Sequence, residues 1–130
     1  MYDLRGRTVH EAIFNISSGA FRCPSTQQGY SPFSTWTRGL AWALTGYSEL
    51  LEFLRALPAK ELASLQAGSL EGQENYLQRF TATACAVADF YLENTPTDGI
   101  PYWDTGAPGL AHMPGALDKP ADPYNEYEPV

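Results

Sequence analysis

Positively charged side chains are scarce in this sequence, which has 8 Lys and Arg residues against 15 Asp and Glu residues and a net charge of −7. The basic residues form no cluster along the chain. Because nucleic-acid binding needs concentrated positive charge, this composition argues against a nucleic-acid partner. An anionic ligand would need a focused site with its own cation.

Long hydrophobic runs are missing as well. No apolar stretch approaches the roughly 18 residues of a transmembrane helix, and the opening sequence MYDLRGRTVHE lacks the apolar core of a signal peptide. We therefore expect a soluble chain without a membrane partner. Its 130 residues fit one domain and are enough in principle to bury a hydrophobic core.

Cysteine and histidine are few, at two residues each. Cys23 and Cys85 lie far apart and form neither a CxxC motif nor a Cys/His spacing typical of metal sites. Cys85 lies in an alanine-rich segment, where we interpret it as a small apolar filler. We predict no metal site and no cofactor. A lone histidine such as His10 usually has a structural role.

Two long segments have the hydrophobic periodicity of amphipathic helices. They span residues 34–57 and 71–93, and residues 58–68 predict a short helical turn between them. The chain is therefore predicted to be mainly α-helical. The first apolar stripe comprises Leu40, Ala43, Leu44, Tyr47, Leu50, Leu51, Leu54 and Leu57. The second comprises Leu77, Phe80, Ala84, Val87, Ala88 and Tyr91.

Two glycines, Gly39 and Gly46, lie seven residues apart inside the first predicted helix. A glycine in a helix interior costs about 1 kcal/mol relative to alanine. We interpret the pair as positions where another group closely approaches the backbone, with plain helix packing as the alternative.

Shorter elements flank the helices. Residues 8–22 predict a β-hairpin turning at residues 17–19, with His10 in its first strand, and residues 23–33 predict a loop leading into the first helix. A turn at residues 97–99 precedes a short extended segment, residues 100–104. Five prolines in the sequence after residue 104 exclude regular helices and strands there. These elements provide too few layers to enclose a core, so we interpret the chain as part of a larger domain.

Arg38 and Trp42 are the most distinctive pair in the sequence. Their spacing of four residues places them on one helix face, opposite the apolar stripe. Arg38 offers a planar fork for a carboxylate near the positive end of the helix dipole, and Trp42 offers a flat surface for a sugar. The pair predicts an acceptor for a flat, anionic molecule. Spacing alone leaves open an Arg stacked on a Trp for packing.

Three further residues have polar groups at informative positions. Gln28 lies in the loop before the first helix and could hydrogen-bond a ligand, although a loop amide is more often solvated. Trp103 is followed by Asp104, and a carboxylate beside an indole could act as an acid. An Asp that closes a turn is the commoner case.

Two sequence blocks resemble the unsaturated glucuronyl hydrolases of glycoside hydrolase family 88. They are TQQGYSPFSTWTRGLAWALTGYSELL, residues 26–51, and VADFYLENTPTDGIPYWDTGAP, residues 87–108. The resemblance implies an (α/α)6 barrel, or six-hairpin toroid. Residues 1–130 would form only part of that barrel with a short β-hairpin, lacking upstream and downstream helices.

Members of this family remove a 4,5-unsaturated uronic acid from the non-reducing end of oligosaccharides that polysaccharide lyases release. An aspartate protonates the C4=C5 bond, water adds at C5, and the hemiketal collapses. The resemblance implies substrate binding by Arg38 and Trp42 and supporting catalytic roles for His10 and Gln28. It implies a mainly structural role for Trp103 and Asp104. The sequence leaves the localisation open between the cytoplasm and the periplasm of a bacterium.

The family's two catalytic aspartates lie on helices upstream of anything in this chain, and neither Asp3 nor Asp104 stands in a matching motif. We therefore expect the isolated chain to be inactive. One alternative is a non-catalytic helical module that binds carbohydrate. Another is the related family 105, whose members remove unsaturated galacturonyl groups from pectin fragments.

Overall fold

The computed structural model describes residues 5–67 and 76–107. This part of the chain is mainly helical with one two-stranded sheet, as predicted, and is consistent with part of a helical barrel. None of its helices is long and apolar enough to cross a bilayer. In chain order the elements are β1 (Glu11–Phe14), β2 (Phe21–Ser25), α1 (Thr37–Ala56), α2 (Ala59–Ala67) and α3 (Tyr76–Glu93).

The predicted hairpin is confirmed, with β1 and β2 paired antiparallel. Its turn is closed by Asn15, whose amide donates to the Ala20 carbonyl at 2.8 Å. The Asn15 Oδ1 accepts the amide of Ser17 at 2.9 Å. Gly19 supplies the positive φ, 68°, that the turn requires.

The strands differ from the prediction at two places. His10 lies immediately before β1 rather than in it, and β2 continues through Ser25, so residues 23–25 are strand rather than loop. Pro24 is tolerated in β2 because each strand of a two-stranded sheet has one unpaired edge.

The hydrophobic core of the described residues lies where α1 packs on α3. Leu40, 1% exposed, forms a cluster with Val87 and Phe90, and partly buried side chains surround it. Burying a side chain of this size fully contributes about 1.5–3 kcal/mol. Leu51 and Leu54 of the predicted α1 stripe are buried as well.

The buried face of α3 is shifted from the predicted stripe. Ala86 and Phe90, which were outside that stripe, are buried beside Val87. Gly6 explains the shift: a methyl group at residue 6 would lie 1.9 Å from the Ala86 carbonyl oxygen and 3.1 Å from Phe90 Cβ. The backbone before β1 therefore covers a face of α3 that helical periodicity alone assigns to solvent.

Apolar side chains of the two predicted stripes are less exposed than several apolar side chains elsewhere. Leu51 and Val87 are buried within one copy and Leu44 is half-buried, so the stripes largely cover each other. Exposed apolar side chains lie elsewhere, including Phe53 on α1 at 59% and Leu92 on α3 at 70%. Cys85 is exposed, so its interpretation as a filler is wrong. Residues 1–4, 68–75 and 108–130 lie outside the described residues. They include the last residue of the predicted helical turn and the first five residues of the second predicted helix.

We expect Gly6→Ala to destabilise the protein more than Gly99→Ala. Both glycines have positive φ, 82° and 79°, but a methyl group at residue 99 meets nothing within 4 Å. Gly99→Ala should cost about 1–2 kcal/mol from backbone conformation alone. Gly6→Ala adds a clash with the α3 backbone. Urea unfolding of both variants measures the difference, and equal losses would contradict the close approach of residue 6 to α3.

Candidate functional site

Trp36, the residue immediately before α1, contacts two of the predicted site residues. Its ring centroid lies 4.5 Å from that of His10, with the planes tilted by 53°. The guanidinium carbon of Arg38 lies 4.9 Å from the centroid of the same indole. We call these three residues the Trp36 cluster. The structure thus brings a residue that precedes the hairpin and a residue of α1 to one aromatic ring.

The backbone on both sides of Trp36 is held by residues 102–105. Trp36 forms an antiparallel bridge with Asp104. The Thr37 amide donates to the Trp103 carbonyl at 2.9 Å, and the Thr105 amide donates to the Thr35 carbonyl at 3.0 Å. Thr35 and Thr37 are buried. The start of α1 is therefore fixed by a distant segment of chain, since no side-chain hydrogen bond from Trp36 caps it.

Asp104 is completely buried, at 0% exposed. Its Oδ2 accepts the Tyr30 amide at 2.9 Å and its Oδ1 accepts the Gly106 amide at 2.8 Å. A carboxylate with both oxygens bound to backbone donors and no exposed surface cannot contact a ligand. This geometry supports a structural role for Asp104, in which its carboxylate links residue 30 to the turn at residue 106 through hydrogen bonds.

The loop carrying Gln28 is packed tightly on Asp104. A methyl group at Gly29 would lie 2.9 Å from Asp104 Oδ2 and 2.7 Å from Thr26 Oγ1, so this position requires glycine. The Gly29 amide donates to Thr26 Oγ1 at 2.8 Å. Gln28 itself is exposed. Its backbone is thereby fixed on both flanks while its side chain remains available to a ligand.

Hydrogen bonds from this loop set the tautomer of His10. The Gln27 amide lies 3.3 Å from His10 Nδ1, and Thr26 Oγ1 lies 3.2 Å from the same atom. A backbone amide can only donate, so Nδ1 accepts and the neutral ring carries its proton on Nε2. Because Thr26 Oγ1 accepts from Gly29, its own proton can also point to Nδ1. His10 therefore presents an Nε2–H donor.

Positive charge is concentrated where α1 begins. Arg38 is exposed, and the first turn of α1 contains no acidic residue. Helix geometry leaves the amides of Arg38 and Gly39 without acceptors inside α1. A cation at this end of a helix is disfavoured by about 0.3–1 kcal/mol through the helix dipole. An anion placed here would meet both the guanidinium and the positive helix end.

Trp42 and Trp103, the two tryptophans among the predicted site residues, occupy different environments. Trp42 is 71% exposed and lies one turn beyond Arg38 on the same helix face. Trp103 lines a cleft of about 210 Å³ that Arg38 and Tyr91 also line. Its Nε1 is buried, and no acceptor reaches it from the part of the chain that the structure describes.

Sequence reasoning missed Trp36 and Thr26. Residues two apart on a helix do not face each other, which hid the contact between Trp36 and Arg38. Trp36 lies outside the helix, with φ −66° and ψ 112°, so that rule does not apply to it. The available signal was an aromatic residue where Ser, Thr, Asp or Asn normally precedes a helix. For Thr26 the signal was the spacing Thr-x-x-Gly in a turn.

No group of three or more His, Cys, Asp or Glu side chains that could hold a metal ion is found in residues 5–67 and 76–107. The Trp36 cluster contains two hydrogen-bond donors, the guanidinium of Arg38 and the Nε2–H of His10. The exposed primary amide of Gln28 lies on the neighbouring loop. Donors of this kind suit an anionic, oxygen-rich ligand.

Comparison with curated proteins confirms the resemblance that the motifs indicated. The chain is 30% identical over 107 residues to an unsaturated glucuronyl hydrolase of Formosa agariphila, covering 81% of this chain and 22% of that protein. It is 31% identical over 101 residues to an unsaturated glucuronyl hydrolase of Bacillus sp. strain GL1, covering 78% of this chain and 21% of that protein. The chain thus spans about a fifth of the length of these relatives. No family model and no solved structure matches it.

We expect Asp104→Asn to destabilise the loop at residues 26–30. The amide nitrogen of Asn would face a backbone N–H that now donates to a carboxylate oxygen, and losing such a buried bond costs about 1–3 kcal/mol. Thermal unfolding together with hydrogen exchange at the Tyr30 amide measures the effect. Asp89→Asn, at an exposed carboxylate on α3, is the matched control. If both variants unfold like the parent protein, Asp104 does not hold the loop.

Proposed function

We propose that this chain forms the uronate-binding part of an unsaturated glucuronyl hydrolase, a glycoside hydrolase. The observation that carries the proposal is the Trp36 cluster, in which Arg38 and His10 lie against one indole at the positive end of α1. Similarity to two relatives of that name supports the same substrate class. The proposed ligand is an oligosaccharide that ends in a 4,5-unsaturated uronic acid.

The carboxylate of that sugar is the natural partner of Arg38. A guanidinium binds a carboxylate through two parallel N–H bonds, and the free amides of the first helical turn add further attraction. Conjugation with the C4=C5 bond keeps the carboxylate close to the plane of the double bond. The flat, exposed surface of Trp42 suits the apolar face of such a ring.

Neutral donors would orient the rest of the sugar. His10 offers Nε2–H because its Nδ1 is occupied by the Gln27 amide. Gln28, on the neighbouring loop, offers both a donor and an acceptor to hydroxyl groups. Both residues would thus support the reaction by positioning the substrate and holding water near it.

The proposed reaction is hydration of the C4=C5 bond. A carboxylic acid transfers its proton to C4, and water adds to C5 while a base takes up its proton. The hemiketal that results has a hydroxyl group and the ring oxygen on C5. Its collapse breaks the bond between C5 and the ring oxygen and gives a ketone at C5 and a hemiacetal at C1. Breakdown of that hemiacetal to an aldehyde breaks the glycosidic bond and releases the neighbouring sugar. The carboxylate of Asp104 is buried and bound to two backbone amides, so it is not accessible to the substrate. We therefore assign the acid and the base to other segments of a full-length protein.

Arg38→Ala in a full-length protein containing this chain tests the proposal. A hydrogen bond to a charged group contributes about 1.5–3 kcal/mol, so we expect kcat/KM to fall by about 10- to 150-fold. Loss of ultraviolet absorbance by a lyase-generated disaccharide reports consumption of its C4=C5 bond. Arg55→Ala, at an exposed arginine in the last turn of α1, is the control and should match the parent protein.

Two results would overturn this proposal. The first is equal turnover by Arg38→Ala and Arg55→Ala, which would remove Arg38 from the site. The second is a full-length protein that binds the disaccharide without consuming the double bond, which would favour the non-catalytic binding module.

The 130-residue chain alone should leave the absorbance of the disaccharide unchanged. General acid–base catalysis contributes about 10²- to 10⁴-fold and needs an acid within hydrogen-bond reach of the substrate. The buried Asp104 cannot provide it. The same absorbance assay, run with the isolated chain and with its Arg38→Ala variant, makes the measurement. Steady loss of absorbance that disappears in the variant would show that an acid of this chain acts on the substrate.

A further inference from the structure

We propose that Trp36 is a positioning residue that sets His10 and Arg38 at a fixed separation, so that both address one uronate. This inference depends on the proposed function, because it concerns the same site. It adds a residue whose role is exerted through its two neighbours rather than through contact with the reacting atoms.

Trp36 is itself rigidly placed. Hydrogen bonds from Thr37 to Trp103 and from Thr105 to Thr35 fix the backbone on either side of it. Its indole then lies against the backbone of α1 at Gly39, where a methyl group would be 2.7 Å from Trp36 Cε3. Gly39 therefore leaves room for the ring. The close approach that the sequence suggested at Gly39 is made by Trp36, whereas a methyl group at Gly46 meets nothing within 4 Å.

The imidazole of His10 is constrained from two directions. Its Nδ1 is bound by the Gln27 amide and by Thr26, which limits rotation of the imidazole about its Cβ–Cγ bond. Its ring packs on Trp36 with centroids 4.5 Å apart and the planes tilted by 53°. With Nδ1 bonded and the ring packed on Trp36, Nε2–H is the group left to meet a ligand.

Among residues 5–67 and 76–107, Trp36 is the one aromatic or hydrogen-bonding partner found for the guanidinium of Arg38. Arg38 is exposed, and its long side chain can adopt many rotamers in water. The indole lies 4.9 Å from its central carbon, a separation at which a cation is attracted to an aromatic ring. Holding the guanidinium before the ligand arrives reduces the entropy lost on binding.

The contacts of Trp36 distinguish positioning from core packing. Trp36 is half-buried and is outside the hydrophobic cluster of Leu40, Val87 and Phe90. Its ring contacts involve His10, Arg38 and the glycine at residue 39. Changing the indole should therefore alter site geometry more than core stability.

Gly39→Ala in the full-length protein tests the inference without changing any member of the Trp36 cluster. The added methyl group must displace the indole, so we expect kcat/KM for the unsaturated disaccharide to fall at least fivefold. Gly46→Ala, a matched substitution in the same helix with open space around it, should retain the parent value. Circular dichroism and the unfolding midpoint of both variants establish that each is folded.

Substitutions of Trp36 itself provide a second test of the positioning role. Trp36→Leu should lower kcat/KM about tenfold and Trp36→Phe, which keeps an aromatic face, should recover most of that loss. In the Arg38→Ala background Trp36→Leu should have a much smaller effect, because a residue that acts through Arg38 has less left to position. Phe53→Leu, at an exposed aromatic of α1, controls for loss of a ring.

The results separate this inference from the proposed function. If Arg38→Ala keeps full turnover, the proposed function fails, and the positioning role fails with it. If Arg38→Ala loses turnover while folded Gly39→Ala and Trp36→Leu keep the parent kcat/KM, only the positioning role fails. Additive effects of Trp36→Leu and Arg38→Ala would also overturn it, because they would indicate a merely structural contribution from the indole.

Discussion

The buried carboxylate of Asp104 is the interaction on which the rest of the site depends. It binds the Tyr30 amide on one side and the Gly106 amide on the other, with no exposed surface. Each bond satisfies a backbone donor that would otherwise lack a partner away from water, which makes the carboxylate costly to replace. Through Tyr30 the carboxylate fixes the loop of Gln28. The backbone of Asp104 forms the bridge to Trp36 that holds the start of α1.

A short series of contacts leads from the hydrogen bonds of Asp104 to the proposed ligand. Thr26 packs against Gly29 of the same loop and bonds to His10, and the indole of Trp36 lies between His10 and Arg38. None of the residues in this series of contacts needs unusual chemistry. Their separations are set by glycine at residues 29 and 39, where a methyl group would clash with Asp104 or with the indole.

Local patterns predicted the elements well, because helices and tight turns depend on neighbouring residues. The stripe at Leu40, Leu51 and Leu54 and the turn at Gly19 follow from spacing alone. Spacing also placed Arg38 and Trp42 on one face. The pairing of Tyr30 with Asp104 could not be predicted this way, since 74 residues separate the partners. The buried face of α3 was misplaced for the same reason, because Gly6 covers it from the far end of the chain.

The contacts that fix α1 have a consequence for the order of folding. Tyr30 pairs with Asp104 across 74 residues and Thr35 with Thr105 across 70. Contacts between distant residues form late because the intervening chain must first be closed into a loop. During synthesis the hairpin and α1 leave the ribosome well before Asp104 does. The start of α1, where the proposed site lies, therefore lacks these contacts until almost the whole described segment has been made. A ribosome paused before residue 104 would carry α1 without them.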